Sequence, residues 1–475
     1  MEEQLTDQGR YSTLLMRGVC THGLPKGMIE GATAVFSDDW LLKPILGQAV
    51  NSEIEVVFLF KIKVRSVIYC VVDSLQHPQL VNIVEPPEPL CEWSEVPPSL
   101  VRIKLPDYGH YSVTWLLAEE DAEINKIIGY QSLLANRDIG NLFAFSCDMP
   151  AADGAHSLWD DMLVRMTKQT ACLHLGDQIY GDAVYRRNIM LPTPDAGKVY
   201  ADYSKLYQEM WSPRAELLSQ TWNYFTADDH EITNDMRLYQ DLTDKETVVA
   251  KAAWKAYLDY QLALTPDRSQ FYSEFSYMTW LGAPGSIRLF MIERTSEPLD
   301  VRRLIEAMLE VQDDFNYLIL ALPCAPVIKP SGLGSSFIRD DRYLEPSLAI
   351  ELYDYLLSLV KPDRYIILLG GDCHYGSHRV VSRGSRNITV LTCSPLTNQP
   401  DLGRAFAASM TKSRELLPAD DRPSLQEEII SCHARKNYAE LDFMNDKVIM
   451  HYGDGRPKSM VRYIKNLWTM RKPAI

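Results

Sequence analysis

The sequence lacks the long apolar segments that a membrane-spanning helix requires. No hydrophobic run reaches the ~18 residues that a helix needs to cross a bilayer. The opening residues, Met1-Glu-Glu-Gln-Leu-Thr-Asp, contain neither the basic nor the apolar region of a signal peptide. We therefore expect a cytoplasmic protein.

Paired cysteines and an excess of positive charge are also missing. The nine cysteines include no Cys-x-x-Cys pair, and their odd number favours free thiols in a reducing compartment. The chain has 48 Lys and Arg against 63 Asp and Glu, which gives a net charge of −15. Such an acidic surface repels phosphate backbones, so nucleic-acid binding driven by net charge is excluded.

What the sequence does contain is typical of a globular protein, with 46% hydrophobic and 23% charged residues. Its 475 residues suffice for roughly two to four domains. In the first part, apolar residues recur with a period of two and predict strands at 53–65, 66–72, 100–105 and 111–117. We predict an N-terminal β-rich domain over residues 1–135.

The pattern changes in residues 136–475, where short apolar runs alternate with helical periodicity, as in a layered α/β domain. We predict strands at 142–145, 171–175, 222–226, 287–292, 317–322 and 364–369. Helices are predicted at 157–169, 246–264, 300–312 and 348–360, and a hairpin at 438–443 and 447–452. The expected fold class is therefore α/β, preceded by a mostly β domain.

Four of these strands run directly into residue types that bind metals. The segments are Phe145-Ser146-Cys147-Asp148, Gly176-Asp177-Gln178-Ile179-Tyr180, Asp228-Asp229-His230-Glu231 followed by Asn234-Asp235, and Gly370-Gly371-Asp372-Cys373-His374. Taken singly, each is more often a turn, a helix cap or a core cysteine. Because sites gather at the carboxyl ends of strands in open α/β sheets, the four together predict one metal site.

These motifs resemble those of the PhoD-like (alkaline phosphatase D) metallophosphatases, which belong to the calcineurin-like metallophosphoesterases. Ser146-Cys147 corresponds to the first motif, in which Cys stands where most relatives have Asp. The resemblance runs over roughly residues 140–455, through short motifs rather than continuous similarity, and extends to Ser394-Pro395-Leu396. It implies layered sheets flanked by helices and a two-metal site.

The resemblance also implies a role for each metal ligand. Cys147, Tyr180 and His374 would bind the first ion, and Asp229 and Asp372 the second, with Asp177 as the bridge. A bridging carboxylate suits two cations ~3.5–4 Å apart. Anionic thiolate and phenolate donors suit Fe³⁺ at the first position, while carboxylates suit a divalent ion, with Ca²⁺, Mn²⁺, Mg²⁺ and Zn²⁺ all open.

The implied reaction is hydrolysis of a phosphate monoester or diester by a metal-bound hydroxide. Two alternatives stay open: a catalytically silent metal-binding scaffold, and a nucleotide or lipid phosphodiesterase of the same fold. We expect His230 to be the general acid that protonates the leaving alkoxide. Asn234 and Arg294 are candidate phosphate contacts, although a turn Asn and a surface Arg fit the sequence equally well.

Two segments depart from the family pattern. Ile292-Glu293-Arg294-Thr295 stands where the family usually has Leu-Asp-Thr-Arg, and Pro323-Cys324-Ala325-Pro326 lacks the His of many relatives. Residues 329–346 are rich in Gly and Ser, and we expect a flexible loop that is a candidate cover for the site. These departures bear on substrate choice more than on metal binding.

Several neighbouring residues have plainer interpretations. We expect Cys373 to point into the core and His378 to be a bystander, because Gly376 disfavours the helix that a His-x-x-x-His zinc pair needs. Asp148, Asp182 and Glu231 are candidate partners that orient the ligands. The segment 456–472 has six basic residues and no acid, which is compatible with weak membrane contact but favours a packed terminal helix with a solvated basic face.

Overall fold

A computed structural model describes most of the chain. The described residues are 34–38, 40–50, 53–60, 66–73, 78–84, 99–104, 110–118, 124–134, 139–149, 157–167, 169–265, 271–281, 286–310, 315–328, 343–409, 413–416 and 423–453. Residues 329–342 of the predicted loop and the basic segment 456–472 lie outside them. None of the helices in the described ranges is both long enough and apolar enough to cross a membrane.

The strands and helices are numbered here in chain order. The strands are β1 Ala34–Phe36, β2 Trp40–Val50, β3 Glu53–Phe60, β4 Ser66–Asp73, β5 Pro78–Val84, β6 Ser99–Lys104, β7 His110–Ala118, β8 Ile124–Leu134, β9 Asn141–Phe145, β10 Thr170–Leu175, β11 Trp222–Thr226, β12 Tyr277–Leu281, β13 Ile287–Met291, β14 Tyr317–Leu322, β15 Ala325–Ile328, β16 Tyr343–Leu344, β17 Tyr365–Gly370, β18 Gly376–Arg383, β19 Arg386–Cys393, β20 Ser413–Leu416, β21 Leu425–His433, β22 Asn437–Asp442 and β23 Lys447–Tyr452. The helices are α1 Ser157–Arg165, α2 Asp182–Ile189, α3 Ala196–Trp211, α4 Ala215–Leu218, α5 Asp244–Tyr260, α6 Val301–Leu309, α7 Pro346–Leu359 and α8 Leu402–Ser409.

Two sheets form the centre of the α/β region. One has the strand order β11-β10-β9-β22-β23, and the other has the order β12-β13-β14-β17-β19-β18-β21-β20. Strands β9, β10 and β11 are parallel to one another, as are β13, β14, β17 and β19. The carboxyl ends of these parallel strands therefore meet at one edge, where the predicted ligands follow.

Side-chain alternation explains why the sheets stack as layers. In β14, Ile319 and Ala321 join the large core shared with the other sheet, while Leu318 and Leu320 pack with helices α6 and α7. On the far side of the smaller sheet, Phe143 packs with Trp159 of helix α1. Because both faces of central strands such as β10 and β14 are covered by apolar side chains, these strands read as continuous hydrophobic runs.

The N-terminal region forms separate sheets, a five-stranded one of order β1-β8-β7-β4-β5 and a three-stranded one of order β2-β3-β6. Trp40, Phe58 and Trp115 meet edge to face, with ring centroids 5.4–5.8 Å apart. The region packs closely on the α/β part, since a Cβ on Gly47 would lie 2.4 Å from the Leu264 carbonyl oxygen. The mostly β character is confirmed, while the domain boundary at residue 135 stays a prediction.

The predicted elements of the α/β region match the structure closely, and the α/β fold class is confirmed. Strands β11 and β14 and the second hairpin strand β23 have the predicted bounds. Helix α1 ends at Arg165 and α6 at Leu309, each before the predicted end. Strands β12, β15, β16 and β18–β21 and helices α2, α3, α4 and α8 were not predicted. Strand β18 reads Gly-Ser-His-Arg-Val-Val-Ser-Arg, so its polar residues hide the strand pattern.

Candidate metal centre

The predicted ligands sit on turns with an unusual backbone. Cys147, Asp177, Asp372 and His374 all have positive φ angles, of 53°, 57°, 62° and 56°. Non-glycine residues adopt this left-handed conformation rarely and at a cost in free energy, and such residues cluster at functional sites. Here the conformation turns each chain segment sharply just after its strand, which brings side chains from three different strands together.

The first group of potential metal ligands contains Cys147, Asp177 and His374, whose ligand atoms all lie within 4.8 Å of one another. The Cys147 Sγ donates a hydrogen bond to Oδ2 of Asp177 at 3.3 Å. It also accepts hydrogen bonds from the hydroxyl groups of Ser146, at 3.3 Å, and Ser394, at 3.1 Å. These contacts hold the sulfur facing the Asp177 carboxylate.

The second group contains Asp177, Asp229 and His230, again with ligand atoms within 4.8 Å of one another. The backbone N–H of Asp235 donates to Oδ2 of Asp229 and fixes that carboxylate. Asp177 is common to both groups, which is the position that a bridging ligand needs. Its Oδ1 is buried and has no hydrogen-bond partner in the described part of the chain, so it is available to a cation.

Tyr180 and Asp372 lie in neither group but adjoin both. The Tyr180 hydroxyl accepts a hydrogen bond of 2.7 Å from the Asn398 side chain. Burial raises the pKa of Tyr180, and the negative charges of Cys147 and Asp177 raise it further, which places the phenol beside the first group. Asp372 is 3% exposed, and its charge acts on both Cys147 and Asp229.

Burial and mutual repulsion disfavour the ionised forms of these acids when no cation is bound. Burial raises the pKa of the Cys147 thiol well above its usual value, and the charges of Asp177 and Asp372 add to the effect. Burial likewise raises the pKa of Asp177, and raises that of Asp229 to about 7 with help from Asp228. Burying several anionic groups together is costly unless cations neutralise them, so the donor set fits a metal site.

His230 forms a dyad with Asp182. Its Nδ1 contacts the Asp182 Oδ2 at 2.7 Å, and its ring lies 4.4 Å from that of Tyr180. Burial lowers the pKa of His230, but the charge of Asp177 and the bond to Asp182 outweigh it and raise the pKa to about 10. Because Nδ1 is held by Asp182, Nε2 is the nitrogen left for a substrate or a metal, so both roles stay compatible with the geometry.

Glu231 ties two of the ligand-bearing turns together. Its carboxylate accepts hydrogen bonds from the backbone N–H groups of Asp177, Gln178 and Asp228, at 3.1, 2.8 and 2.8 Å. It is fully buried, and burial raises its pKa to about 7 although the three N–H groups lower it. The predicted orienting role of Glu231 thus corresponds to a direct contact with the turn that carries Asp177.

His174 continues this buried network away from the metal groups. Its Nδ1 lies 2.8 Å from the Gln178 Oε1, and its Nε2 lies 3.0 Å from the Asn223 Oδ1. The Asn223 amide in turn donates to the Leu46 carbonyl in strand β2, at 2.8 Å. A chain of buried polar contacts therefore runs from the N-terminal sheets to the residue after Asp177.

The two candidate phosphate contacts have different environments. Asn234 is exposed, and its backbone N–H donates to Oδ1 of Asp182 at 3.0 Å, next to the dyad. Arg294 is 11% exposed, with its Nη2 3.7 Å from Asp228 and 3.9 Å from Asp372. Arg294 is therefore a buried cation at the edge of the site, not a surface Arg, while its contact with phosphate stays a prediction.

Three further residues discussed from the sequence are Cys373, His378 and Glu293. Cys373 is fully buried in the core beside α7, and His378 lies in strand β18 rather than on a helix. Glu293, in the segment that departs from the family pattern, accepts hydrogen bonds from the backbone of Thr295 and Ser296 and so caps a local turn.

Sequence reasoning missed several contacts of the site. Ser146, Ser394 and Asn398 bond to Cys147 or Tyr180, and Arg237 lies 3.2 Å from the Asp228 carboxylate. The position of Ser146 beside Cys147 was the one local signal for the sulfur contacts. Asn398 and Arg237 are brought in by tertiary structure, which no spacing in the sequence reports.

Comparison with solved structures supports the fold. A structure described as that of PhoD aligns with a TM-score of 0.57 at 12% identity, over 88% of this chain and 90% of that one. A purple acid phosphatase from yellow lupin (Lupinus luteus) seeds aligns with a TM-score of 0.52 at 11% identity, over 90% of this chain and 74% of the other. No protein-family model and no curated protein sequence matches the chain. The chain thus has a metallophosphoesterase-like fold, as the resemblance implied.

Proposed function

We propose that the protein is a phosphatase or phosphodiesterase that uses two metal ions to hydrolyse phosphate esters. The observation that carries this proposal is the position of Asp177 in two groups of ligand atoms, each within 4.8 Å. Two structures with similar folds are named as a PhoD and a purple acid phosphatase, which supports the same class of reaction.

Each proposed ligand has a defined part in this function. Cys147, Tyr180 and His374 would hold the first ion, Asp229 and Asp372 would hold the second, and Asp177 would be shared between them. Bound cations supply a Lewis acid for the phosphoryl oxygens and lower the pKa of a coordinated water. Thiolate and phenolate at the first position favour Fe³⁺, and the carboxylates favour a divalent partner such as Ca²⁺, Mn²⁺, Mg²⁺ or Zn²⁺.

His230, held by Asp182, supplies the proton for the leaving group. Asp182 accepts from Nδ1 of His230 and so fixes the ring with Nε2 as the remaining donor. Burial raises the pKa of Asp182, but the hydrogen bond and charge of His230 lower it to about 2, so Asp182 stays an anion at neutral pH. His230 would then protonate a departing alkoxide. Arg294, beside Asp372, and Asn234, beside Asp182, are the candidate contacts for the phosphate.

The decisive experiment combines metal analysis with a panel of phosphate monoesters and diesters. Asp177→Ala removes the shared carboxylate, and we expect loss of both metals and at least a thousandfold fall in kcat/KM. Asp300→Ala is the matched control, because Asp300 caps helix α6 and costs only about 1 kcal/mol of stability when removed.

Two results would contradict the proposal. Near-normal activity of Asp177→Ala would show that the two groups do not form the site. Full metal occupancy of the wild-type protein without hydrolysis of any ester would favour the silent scaffold instead.

A further inference from the structure

A cavity lies at the edge of the sheets opposite the metal groups. It encloses about 800 Å³, within the range of small-molecule sites. Tyr365 begins strand β17 and lines this cavity, whereas the ligand-bearing turn follows Gly370 at the other end of the strand. A six-residue strand spans about 20 Å, so the cavity is separate from the metal groups.

We call this cavity the basal groove. Its inner part is apolar. Ile367 of the larger sheet and Leu441 and Val448 of the smaller sheet contribute its inner wall. Tyr317 and Tyr365 stack at its side, with ring centroids 5.0 Å apart and ring planes within 16° of each other. Tyr365 is 46% exposed, so a bulky aromatic ring is presented to whatever enters.

The mouth of the basal groove is basic, although the whole protein carries a charge of −15. Four basic and two acidic residues line it: Lys361, Arg364, Arg386 and Lys447, with Asp442 and Asp446. The two acids are already engaged. Asp446 accepts from the Tyr317 hydroxyl, and Asp442 accepts from the backbone and side chain of Asn445 in the hairpin turn.

Two of the four basic residues are available to a ligand. Arg386 and Lys447 are exposed and form no ion pair within the ranges of the chain that the structure describes. His378 also faces the groove, is half-buried, and has no hydrogen-bond partner among the described residues. Its ring nitrogens therefore add a donor and an acceptor between the basic mouth and the apolar wall.

We propose that the basal groove binds a small organic anion that carries an aromatic ring, the chemistry of a nucleoside monophosphate. The ring would stack on Tyr365, since aromatic side chains accept any nucleobase face. The phosphate would lie at the mouth with Arg386 and Lys447, whose charges complement it. This second site would bind its ligand without cleaving it, and it is independent of the proposed hydrolysis.

Binding is tested by calorimetry with adenosine monophosphate, adenosine and inorganic phosphate. Protein carrying Asp177→Ala is used, so that neither metal binding nor turnover at the other edge contributes. We expect adenosine monophosphate to bind more tightly than adenosine or phosphate alone. Binding should be the same in wild-type protein from which the metals have been removed by chelation.

Matched variants locate the site. Tyr365→Ala should weaken binding roughly tenfold or more because stacking is lost, while Tyr365→Phe keeps the ring and should bind normally. Arg386→Glu and Lys447→Glu should each weaken binding at least tenfold. Arg302→Glu, the same charge change on the exposed face of helix α6, is the control and should have no effect.

Three outcomes would overturn the proposal. These are no binding at millimolar concentration, phosphate binding as tightly as the nucleotide, and normal binding by Tyr365→Ala. A failure here leaves the metal-dependent hydrolysis untouched, because that activity is measured at the other edge and with Asp177 present.

Discussion

The two edges of the same pair of sheets carry residues that differ in charge and in exposure. At the carboxyl edge, Cys147, Asp177 and Asp229 are buried acids held close together. At the opposite edge, Arg386 and Lys447 are exposed bases around an open groove. At the carboxyl edge, left-handed backbone conformations at Cys147, Asp177 and Asp372 place the acids, whereas the basal groove is bordered mainly by exposed turn residues.

This difference indicates what each edge can do. A bound cation stabilises acids that are buried close together, and a fixed geometry favours chemistry over adaptability. Exposed bases bind anions weakly and reversibly, because solvent screens their charge. Substitutions at one edge are therefore expected to leave the function of the other unchanged, and the predictions below break or sharpen that separation.

The largest effect is expected at His230. His230→Ala should slow hydrolysis of alkyl phosphates by roughly 10²–10⁴-fold, because an alkoxide leaves poorly without a proton. Nitrophenyl phosphates should be affected far less, since nitrophenolate needs no proton. Rates on both substrates and the metal content of the variant provide the measurement, with adenosine monophosphate binding in the basal groove unchanged.

The alternative role of His230 gives a different result. If His230 is a metal ligand, His230→Ala should bind less metal, and hydrolysis of both substrate types should slow equally. His433→Ala is the control, because His433 is exposed at the end of strand β21 and meets the Tyr452 ring edge to face, away from the dyad.

A smaller effect is expected at Glu231. In Glu231→Gln, an amide N–H₂ would face the backbone N–H groups of Asp177 or Asp228, which now donate to a carboxylate. We expect metal affinity to fall roughly 10–100-fold, with kcat restored at saturating metal, because the ligands themselves remain. Glu216→Gln, on an exposed position of helix α4, should bind metal normally. An unrestored kcat would mean that Glu231 takes part in the reaction itself.

The contrast between the edges also explains how much of the fold and of the candidate site the sequence could predict. Asp177 and Asp372 follow buried strands whose apolar runs are clear, so the strand ends and their shared edge were predictable. The left-handed conformation at these positions and the contact of Glu231 with Asp177 depend on tertiary packing. No local pattern in the sequence reports them.

The basal groove was not predictable from sequence at all. Its residues come from short segments scattered between Tyr317 and Val448, and each segment looks like an ordinary turn or strand start. A site that would hold its ligand by several weak contacts leaves no motif. The carboxyl edge has motifs, as expected of a metal site, because a metal requires particular ligand atoms in a fixed geometry.

The smallest effect concerns His174, whose buried contacts join the N-terminal sheets to the Asp177 turn. Burial lowers the pKa of His174 to about 4, although its bonds to Gln178 and Asn223 oppose the shift. A neutral folded ring contributes stability above the unfolded pKa of about 6.5, and this stability is lost as pH falls toward 4.

At pH 5, the wild-type protein should therefore lose about 2 kcal/mol more unfolding free energy, relative to pH 7, than His174→Asn. Urea denaturation of both proteins at the two pH values measures this difference. The opposite sign would be equally informative. The Gln178 and Asn223 amide nitrogens both donate to backbone carbonyls, so each presents its oxygen to the ring. If the wild-type protein instead gains stability relative to the variant at pH 5, both ring nitrogens donate and His174 is a buried cation.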